Sequence, residues 1–318
     1  MKHQRPPTTR RLERALGDFV RTRMQGGFGE LLMFFLKQGW AALFGVLFII
    51  ALIGTKLVWQ DDWPLERYDG LFIFAVTTQI AMLYFKLETW DEARVILLFH
   101  LTGTAMELFK IRMGSWSYPE PGYFVLGGVP MFSGFMYASI GSYIARVIRI
   151  FQMRFAPYPP LWVTFLFGAA IYVNFFAHHY TVDIRLGLFA ASLILFLRTR
   201  IWFYVAGTPR WMPMPVAAFL CAFVVWIAEN VGTMTGTWIY AGQSDMQMVS
   251  FAKMGSWYLL LWVAFVTVTL VSRSALSRTA VNPVATPSPS ATEVLDKEDT
   301  KEGASHDENR ISAHHGPR

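Results

Sequence analysis

A glutamate at the end of a long apolar run, followed after six residues by Gly-x-Trp-x-Tyr, occurs twice in this chain. The first copy is Glu107, Gly114, Trp116 and Tyr118; the second is Glu229, Gly236, Trp238 and Tyr240. Each member of the second lies 122 positions after its counterpart. A constant offset between matching apolar segments marks an internal duplication. The two halves of the chain are therefore expected to fold alike.

What they fold into follows from how little charge they carry. With 54% hydrophobic and 16% charged residues, the chain is too apolar for a soluble domain, where about 25% is usual. A hydrocarbon core of about 30 Å needs ~17 to 25 largely apolar residues per crossing. On that measure we read eight spans: Gly39–Val58, Gly70–Phe85, Ala93–Met113, Met131–Ile150, Leu161–Ala177, Ile184–Leu197, Val216–Met234 and Ser256–Ser272. The Arg198 to Tyr204 stretch is read as the interfacial end of the sixth, its arginines snorkelling to headgroups. The expected fold is an all-α membrane protein of eight transmembrane helices, built as two parallel four-helix repeats over about 31–154 and 155–276. Each repeat has an even number of spans, so the two share one orientation about an axis along the membrane normal.

Loop charges orient the bundle. Residues 1–30 form a basic amphipathic collar carrying Arg10, Arg11, Arg14, Arg21 and Arg23, with Leu12, Leu16, Phe19 and Val20 on one helical face. A transit peptide is the competing reading, interrupted by Glu13 and Asp18. The collar, the Arg146, Arg149 and Arg154 turn, the Arg198, Arg200 and Arg210 segment and the Arg273 and Arg278 exit fall on one side. The acidic Asp61, Asp62, Glu66 and Asp69 loop falls on the other. Cations gather on the cytoplasmic side, so a bacterial inner-membrane protein with both termini cytoplasmic is expected. Residues 277–318, rich in Ser, Thr, Pro and charge, read as a disordered cytoplasmic tail. The lone Cys221 excludes an internal disulfide and reads as a buried small hydrophobe. Anionic lipid accounts for the basic loops, so membrane lipids are the expected partners and nucleic acid is not.

An ionisable group inside a span is costly and usually faces the bundle interior for a functional reason. Glu107 and Glu229 are thus the first candidates for proton chemistry, each about 10 Å below the outer end of its helix at 1.5 Å per residue. The other reading is that each accepts hydrogen bonds from the following loop and pins it. Lys110 lies at i+3 of Glu107 and can pair with it; the equivalent position after Glu229 is Gly232, so Lys110 or Arg112 could serve Glu229 across the repeat axis. Gly114 and Gly236 let each helix end in a left-handed turn, after which Trp116 and Tyr118, or Trp238 and Tyr240, can fold back over the carboxyl. Interfacial anchoring is their other role. His100, two turns before Glu107, reads as a proton relay or as a histidine bonded to a neighbouring span. Asn174, His178 and Asn230 complete the candidate binding set. His178 and His179 should point about 100° apart on a helix, so that one at most faces inward. No metal is expected: no His-Glu-x-x-His pattern or cysteine partner supports one. No dinucleotide or phosphate-cradling glycine loop and no nucleophile elbow is present.

The run from Arg94 to His100, Glu107 to Lys110, Gly114 to Glu120, Gly128-Val129-Pro130 and Ser133 to Tyr137 resembles the YoaT-like family of bacterial integral membrane proteins, a family without an assigned activity. The resemblance spans about residues 30 to 275. A span-borne Glu, then Gly-x-Trp-x-Tyr, then Gly-Val-Pro is more distantly similar to the membrane-bound carotenoid hydratases and small lycopene cyclases. That likeness implies acid chemistry on a polyisoprenoid, with Glu107 or Glu229 as proton donor. The chain departs from the cyclases in lacking Pro-x-Glu-Glu, since Met131 and Phe132 follow Pro130. A lipid-soluble or small-molecule substrate, a proton-coupled carrier for a small solute and a membrane scaffold all remain open readings. The sequence does not identify a cofactor.

Overall fold

A computed structural model describes residues 26–60, 62–244 and 247–279. Most of the collar, Asp61 and the tail beyond residue 279 lie outside them. The described residues are mostly helical. The helices are α1 (Gly27–Ala41), α2 (Leu43–Val58), α3 (Arg67–Tyr84), α4 (Trp90–Arg112), α5 (Ser133–Ile150), α6 (Leu161–Ala177), α7 (Arg185–Phe196), α8 (Met214–Met234) and α9 (Phe251–Val268). Every stretch read as a span thus contains a helix.

Length and composition qualify fewer of them as crossings. Among the described residues α8 and α9 are long and apolar enough, and α1 with α2 makes a third if that bent pair is one span. Helix α8, with 21 residues, reaches about 31 Å at 1.5 Å per residue. Helix α4 is longer, yet carries acid at its start and base at its end: Asp91, Glu92, Lys110 and Arg112. Its start is fixed by a capping box in which Thr89 and Glu92 exchange side-chain and backbone hydrogen bonds.

The first expected span is not one helix. It breaks by 75° between α1 and α2, and the cause is a guanidinium set against the helix end. Arg146, 1% exposed, donates from Nη2 to the Trp40 carbonyl at 2.6 Å, from Nε to the Ala41 carbonyl at 3.1 Å and from Nη1 to the Leu87 carbonyl at 2.8 Å. Those first two carbonyls would otherwise accept from the next turn of a continuous helix. Arg146 was expected in a cationic surface turn; it is instead an interior fastener. Beside it Ser142 donates to Glu88, and Arg149 pairs with Glu92 at 2.9 Å.

The all-α expectation also needs correcting. Arg198 to Tyr204 does not extend the sixth expected span, whose helix α7 ends at Phe196. Here β5 (Arg200–Val205) forms the centre of an antiparallel sheet with β4 (Arg154–Ala156) and β6 (Thr208–Pro213). Alternating Ile201, Phe203 and Val205 bury one face, the period-two pattern of a strand. Ala206 and Gly207, with φ of 50° and 89°, supply the double left-handed turn that closes a two-residue hairpin. The prolines of β6 sit on the edge, where no ladder donor is lost. Short strands β1 (Trp116–Ser117), β2 (Val125–Leu126), β3 (Val129–Pro130) and β7 (Ile239–Tyr240) lie in the connections after α4 and α8.

Helices α4 and α5 pack through small residues, which let backbones approach. A Cβ at Gly103 would meet Tyr137 at 2.6 Å, one at Gly134 would meet His100 at 2.4 Å, and one at Gly141 would meet Phe99 at 2.6 Å.

Candidate functional site

Each glutamate receives the aromatics that follow it in sequence. Gly114 and Gly236 adopt φ of 65° and 64°, so both α4 and α8 end in a left-handed turn that sends the chain back over the helix. Trp116 Nε1 then donates to Glu107 Oε2 at 2.7 Å and the Tyr118 hydroxyl to the same oxygen at 3.0 Å. Oε1 accepts from the Tyr137 hydroxyl of α5 at 2.8 Å. Around Glu229 the Tyr240 hydroxyl donates to Oε2 at 2.5 Å, with the Trp238 indole beside the same carboxyl. Both glutamates are buried, 2% and 8% exposed.

The two returning segments pair with each other. Strands β1 and β7 run antiparallel, Trp116 opposite Tyr240 and Ser117 opposite Ile239. The Ala241 N–H adds a bond to the Ser115 carbonyl at 3.1 Å. Ser117 and Ile239 are corresponding residues of the two copies, so the pairing is centred on equivalent positions. The bond mirroring Ala241 to Ser115 would need an N–H at Pro119, which proline lacks. The Thr237 carbonyl is satisfied instead by the Tyr68 hydroxyl at 2.7 Å. Arg67, next to it, clamps the connection after each copy: Nη1 holds Glu120 at 2.9 Å and Nη2 donates to Thr237 Oγ1 at 2.6 Å. Asp69, read from sequence as part of an acidic outer loop, is fully buried and accepts the backbone N–H groups of Tyr123 and Phe124.

The copies differ at one decisive place. Position 232 is glycine where the first copy has Lys110, and a Cβ there would lie 1.9 Å from Cη2 of Trp238. The indole therefore lies flat on α8 and is buried, whereas Trp116 remains half-exposed.

Both carboxyls open into one cavity of about 860 Å³. Its lining includes Glu107, Glu229, Trp116, Tyr118, Trp238 and Tyr240 at one end and Phe155, Ile201, Phe203, Met212 and Met214 from the sheet region at the other. Glu229 and Met214 stand fifteen residues apart on α8, so the cavity extends about 22 Å along that helix. Between the ends the wall is aliphatic and aromatic, with Gln38, Ser139, Tyr143 and Cys221 as its polar points. Several wall residues keep large exposed areas: Phe35 of α1, Val46 of α2, Leu220, Phe223 and Val224 of α8.

Residues 30–265 match a family profile described as "Protein of unknown function (DUF817)". The chain belongs to this family. It is 41% identical over 240 residues to the "Uncharacterized protein YoaT" of Bacillus subtilis (strain 168), which covers 75% of this chain and 90% of that protein. No solved structure matches.

The remaining candidates in this DUF817 chain fall elsewhere. His100 does not reach the acids; its ring packs on Phe135 at 4.6 Å and against Gly134 in the α4–α5 seam. Asn230 spends its amide on backbone, donating to the Trp226 carbonyl at 2.7 Å and accepting the Val249 N–H at 2.9 Å. Asn174 bridges the α6–α7 connection through Asp183 and the Ile184 N–H. Lys110 turns away from Glu107: its Nζ lies 2.7 Å from His179 Nε2, 3.4 Å from His178 Nε2 and 4.3 Å from the Phe175 ring centre. Both histidines reach it because α6 ends at Ala177. Off the helix they stack, ring centres 4.2 Å apart, and the 100° separation no longer holds. Burial, followed by the charge of Lys110 and then that of His178, holds the His179 imidazole below its ordinary value.

The cation nearest the second carboxyl was not expected. Lys253 of α9 places Nζ 4.0 Å above the Tyr240 ring, on the ring that holds Glu229. Tyr137 was likewise missed, since it comes from a different helix than the acid it serves; the tyrosine and the Gly103 beneath it offered no spacing signal.

Proposed function

We propose that this protein is a multi-pass membrane enzyme that transfers a proton to an elongated, unsaturated, lipid-soluble molecule of isoprenoid kind held in the cavity. The observation that carries this reading is the cavity itself: apolar for most of about 22 Å and lined at one end by two buried glutamates with four aromatic residues. A carrier for small polar solutes would need a polar path, and the wall between the acids and the sheet offers few polar groups. Large exposed hydrophobics on α2 and α8, among them Ile50, Leu57, Val224 and Ile227, support contact with hydrocarbon. We place the protein in a bacterial inner membrane with both termini cytoplasmic, on the charge asymmetry of its loops. The eight-span, twice-repeated arrangement is supported by the register of β1 on β7, which a local twofold requires.

In the proposed reaction Glu229 is the acid. Glu107 accepts three hydrogen bonds, one of them from another helix, while Glu229 accepts from Tyr240 of its own copy with the buried Trp238 indole beside it. Its proton goes to one carbon of a double bond; the π pair forms the new C–H bond and leaves a cation on the neighbouring carbon. The faces of Trp116, Tyr118, Trp238 and Tyr240 stabilise that cation. Capture by water with loss of its proton completes hydration; attack by a second double bond moves the cation to a further carbon, and loss of a proton from the carbon beside it forms a new double bond and completes cyclisation. In either case the released proton restores the acid.

The test is deuterium incorporation. Membranes containing the protein are incubated in heavy water, and their isoprenoid fraction is analysed by mass spectrometry. Carbon-bound deuterium should appear with the wild type and vanish with Glu229→Gln. Equal incorporation by the two, or none by either, contradicts the proposal.

A further inference from the structure

Next to the acid end of the cavity, a group of basic residues gathers from four elements. Lys110 comes from the end of α4, His178 and His179 from the turn after α6, Arg185 from the start of α7 and Lys253 from the start of α9. Arg185 is paired with Asp183 at 2.5 Å and reaches Ser256 of α9 at 3.3 Å. Lys253 lies over Tyr240 and in the field of Glu229. Lys110 is the anomaly. It is 5% exposed, and it feels the like charges of Lys253 and Arg185 more strongly than the opposite charge of Asp183. Its recorded close partners are two imidazoles and a phenyl ring, none of them negative.

A nearly buried ammonium without a paired carboxylate is expensive, and gathering further cations around it adds to the cost. The hydrogen bonds show how it is held. His178 Nδ1 lies 2.9 Å from the Asn174 carbonyl, which can only accept, so Nδ1 carries the proton and Nε2 offers its lone pair to Lys110. Asn174 thus sets the His178 tautomer. The result is an ammonium cradled by two imidazole acceptors and in the field of an arginine and a second lysine. A phosphate group, with up to two negative charges and several acceptor oxygens, is the anion that can engage so many donors together.

We propose that Lys110, Lys253 and Arg185, with the two histidines holding Lys110, bind a phosphate group behind the Tyr240 wall at the acid end of the cavity. The inference rests on the cavity reading above and adds the head to its tail: an apolar chain along α8 and a phosphate among the cations. Trp257, one turn beyond Lys253 on α9, lines the cavity and packs on Tyr137 at 5.9 Å, which joins the two regions.

The experiment uses Cys221, the single cysteine of the chain and part of the cavity wall. Its reaction with methyl methanethiolsulfonate is followed in the full-length protein in lipid nanodiscs, with dodecyl phosphate, dodecanol or inorganic phosphate added. Dodecyl phosphate should protect Cys221 at concentrations roughly ten- to a hundredfold lower than dodecanol, the worth of one or two charge-assisted hydrogen bonds. The Lys110→Met/Lys253→Met double variant should lose that advantage while dodecanol protects as before, which also shows that the cavity is intact. The Lys110→Arg/Lys253→Arg variant should keep most of it. Equal protection by phosphate and alcohol in the wild type, or an advantage that survives in the double methionine variant, overturns the inference. If inorganic phosphate displaces dodecyl phosphate at comparable concentration and only when the lysines are present, the phosphate site stands and its source is free phosphate. If neither chain protects Cys221, the cavity reading fails by itself; lysine-dependent binding of inorganic phosphate, measured by equilibrium dialysis, then upholds or overturns the phosphate site alone.

Discussion

Replacing Gly232 by alanine should destabilise the protein, although alanine is the better helix former. An added Cβ would sit 1.9, 2.1 and 2.6 Å from Cη2, Cζ2 and Cζ3 of Trp238. Carbon atoms rest about 3.5 to 4.0 Å apart, so the indole must retreat by roughly 1.6 Å. Retreat means disturbing the cluster formed with Phe44, Phe48, Leu52, Tyr68 and Phe132 on one side, or swinging into the cavity and off Glu229 on the other. Such a shift belongs at the upper end of the about 1–3 kcal/mol of overpacking, from which alanine's propensity returns about 1 kcal/mol, leaving about 2 kcal/mol of destabilisation. Gly54, in the middle of α2 with nothing within 4 Å of an added Cβ, is the control. There the same change should stabilise by about 0.4–1 kcal/mol. Thermal unfolding of both variants and the wild type in one detergent measures the two signs. A Gly232→Ala protein as stable as Gly54→Ala would refute the packing of Trp238 on α8 and, with it, the burial of Glu229 beneath that ring.

Further expectations follow from the same geometry. Tyr137→Phe removes a hydroxyl donor from a buried carboxyl and should cost about 1–3 kcal/mol in the same unfolding measurement. Arg146→Ala leaves the carbonyls of Trp40, Ala41 and Leu87 without their donor, at about 1–3 kcal/mol for each that stays dry; Arg146→Lys should rescue little, since an ammonium lacks the guanidinium fork. For Asp183, burial pushes the carboxyl upward, but the backbone and side chain of Arg185 and the Asn174 amide outweigh it and hold the group below its ordinary 3.8. A folded value below the unfolded one stabilises above pH 3.8 and is lost as pH falls through the lowered value. Melting curves of wild type and Asp183→Asn should therefore differ at neutral pH and converge in acid.

The motif around each glutamate was legible because its information is local. Spacing alone placed Trp116, Tyr118 and Tyr240 back over their acids, and the glycine between could do so only with positive φ. Partners contributed by another helix left no such trace: Tyr137, Lys253 and Arg67 are ordinary residues in sequence and become part of the site only through packing. Arg146 misled because a cation near a helix end reads as surface charge, whereas here it fills the carbonyls of a broken helix. The β5 strand misled in the same way, its aromatic and β-branched run matching a span's composition but not its length. Asn174 and Asn230 looked like ligands for the reason they are useful to the fold, an amide able to satisfy donor and acceptor together.

Quantifying the apolar molecule that travels with the purified protein tests the central claim most directly. Protein extracted from membranes in mild detergent should release an elongated lipid-soluble compound approaching one per chain, and Ala218→Trp, which fills the cavity wall, should release almost none at equal yield and folding. Wild type and variant carrying the same small, mixed complement of bulk membrane lipid would contradict it.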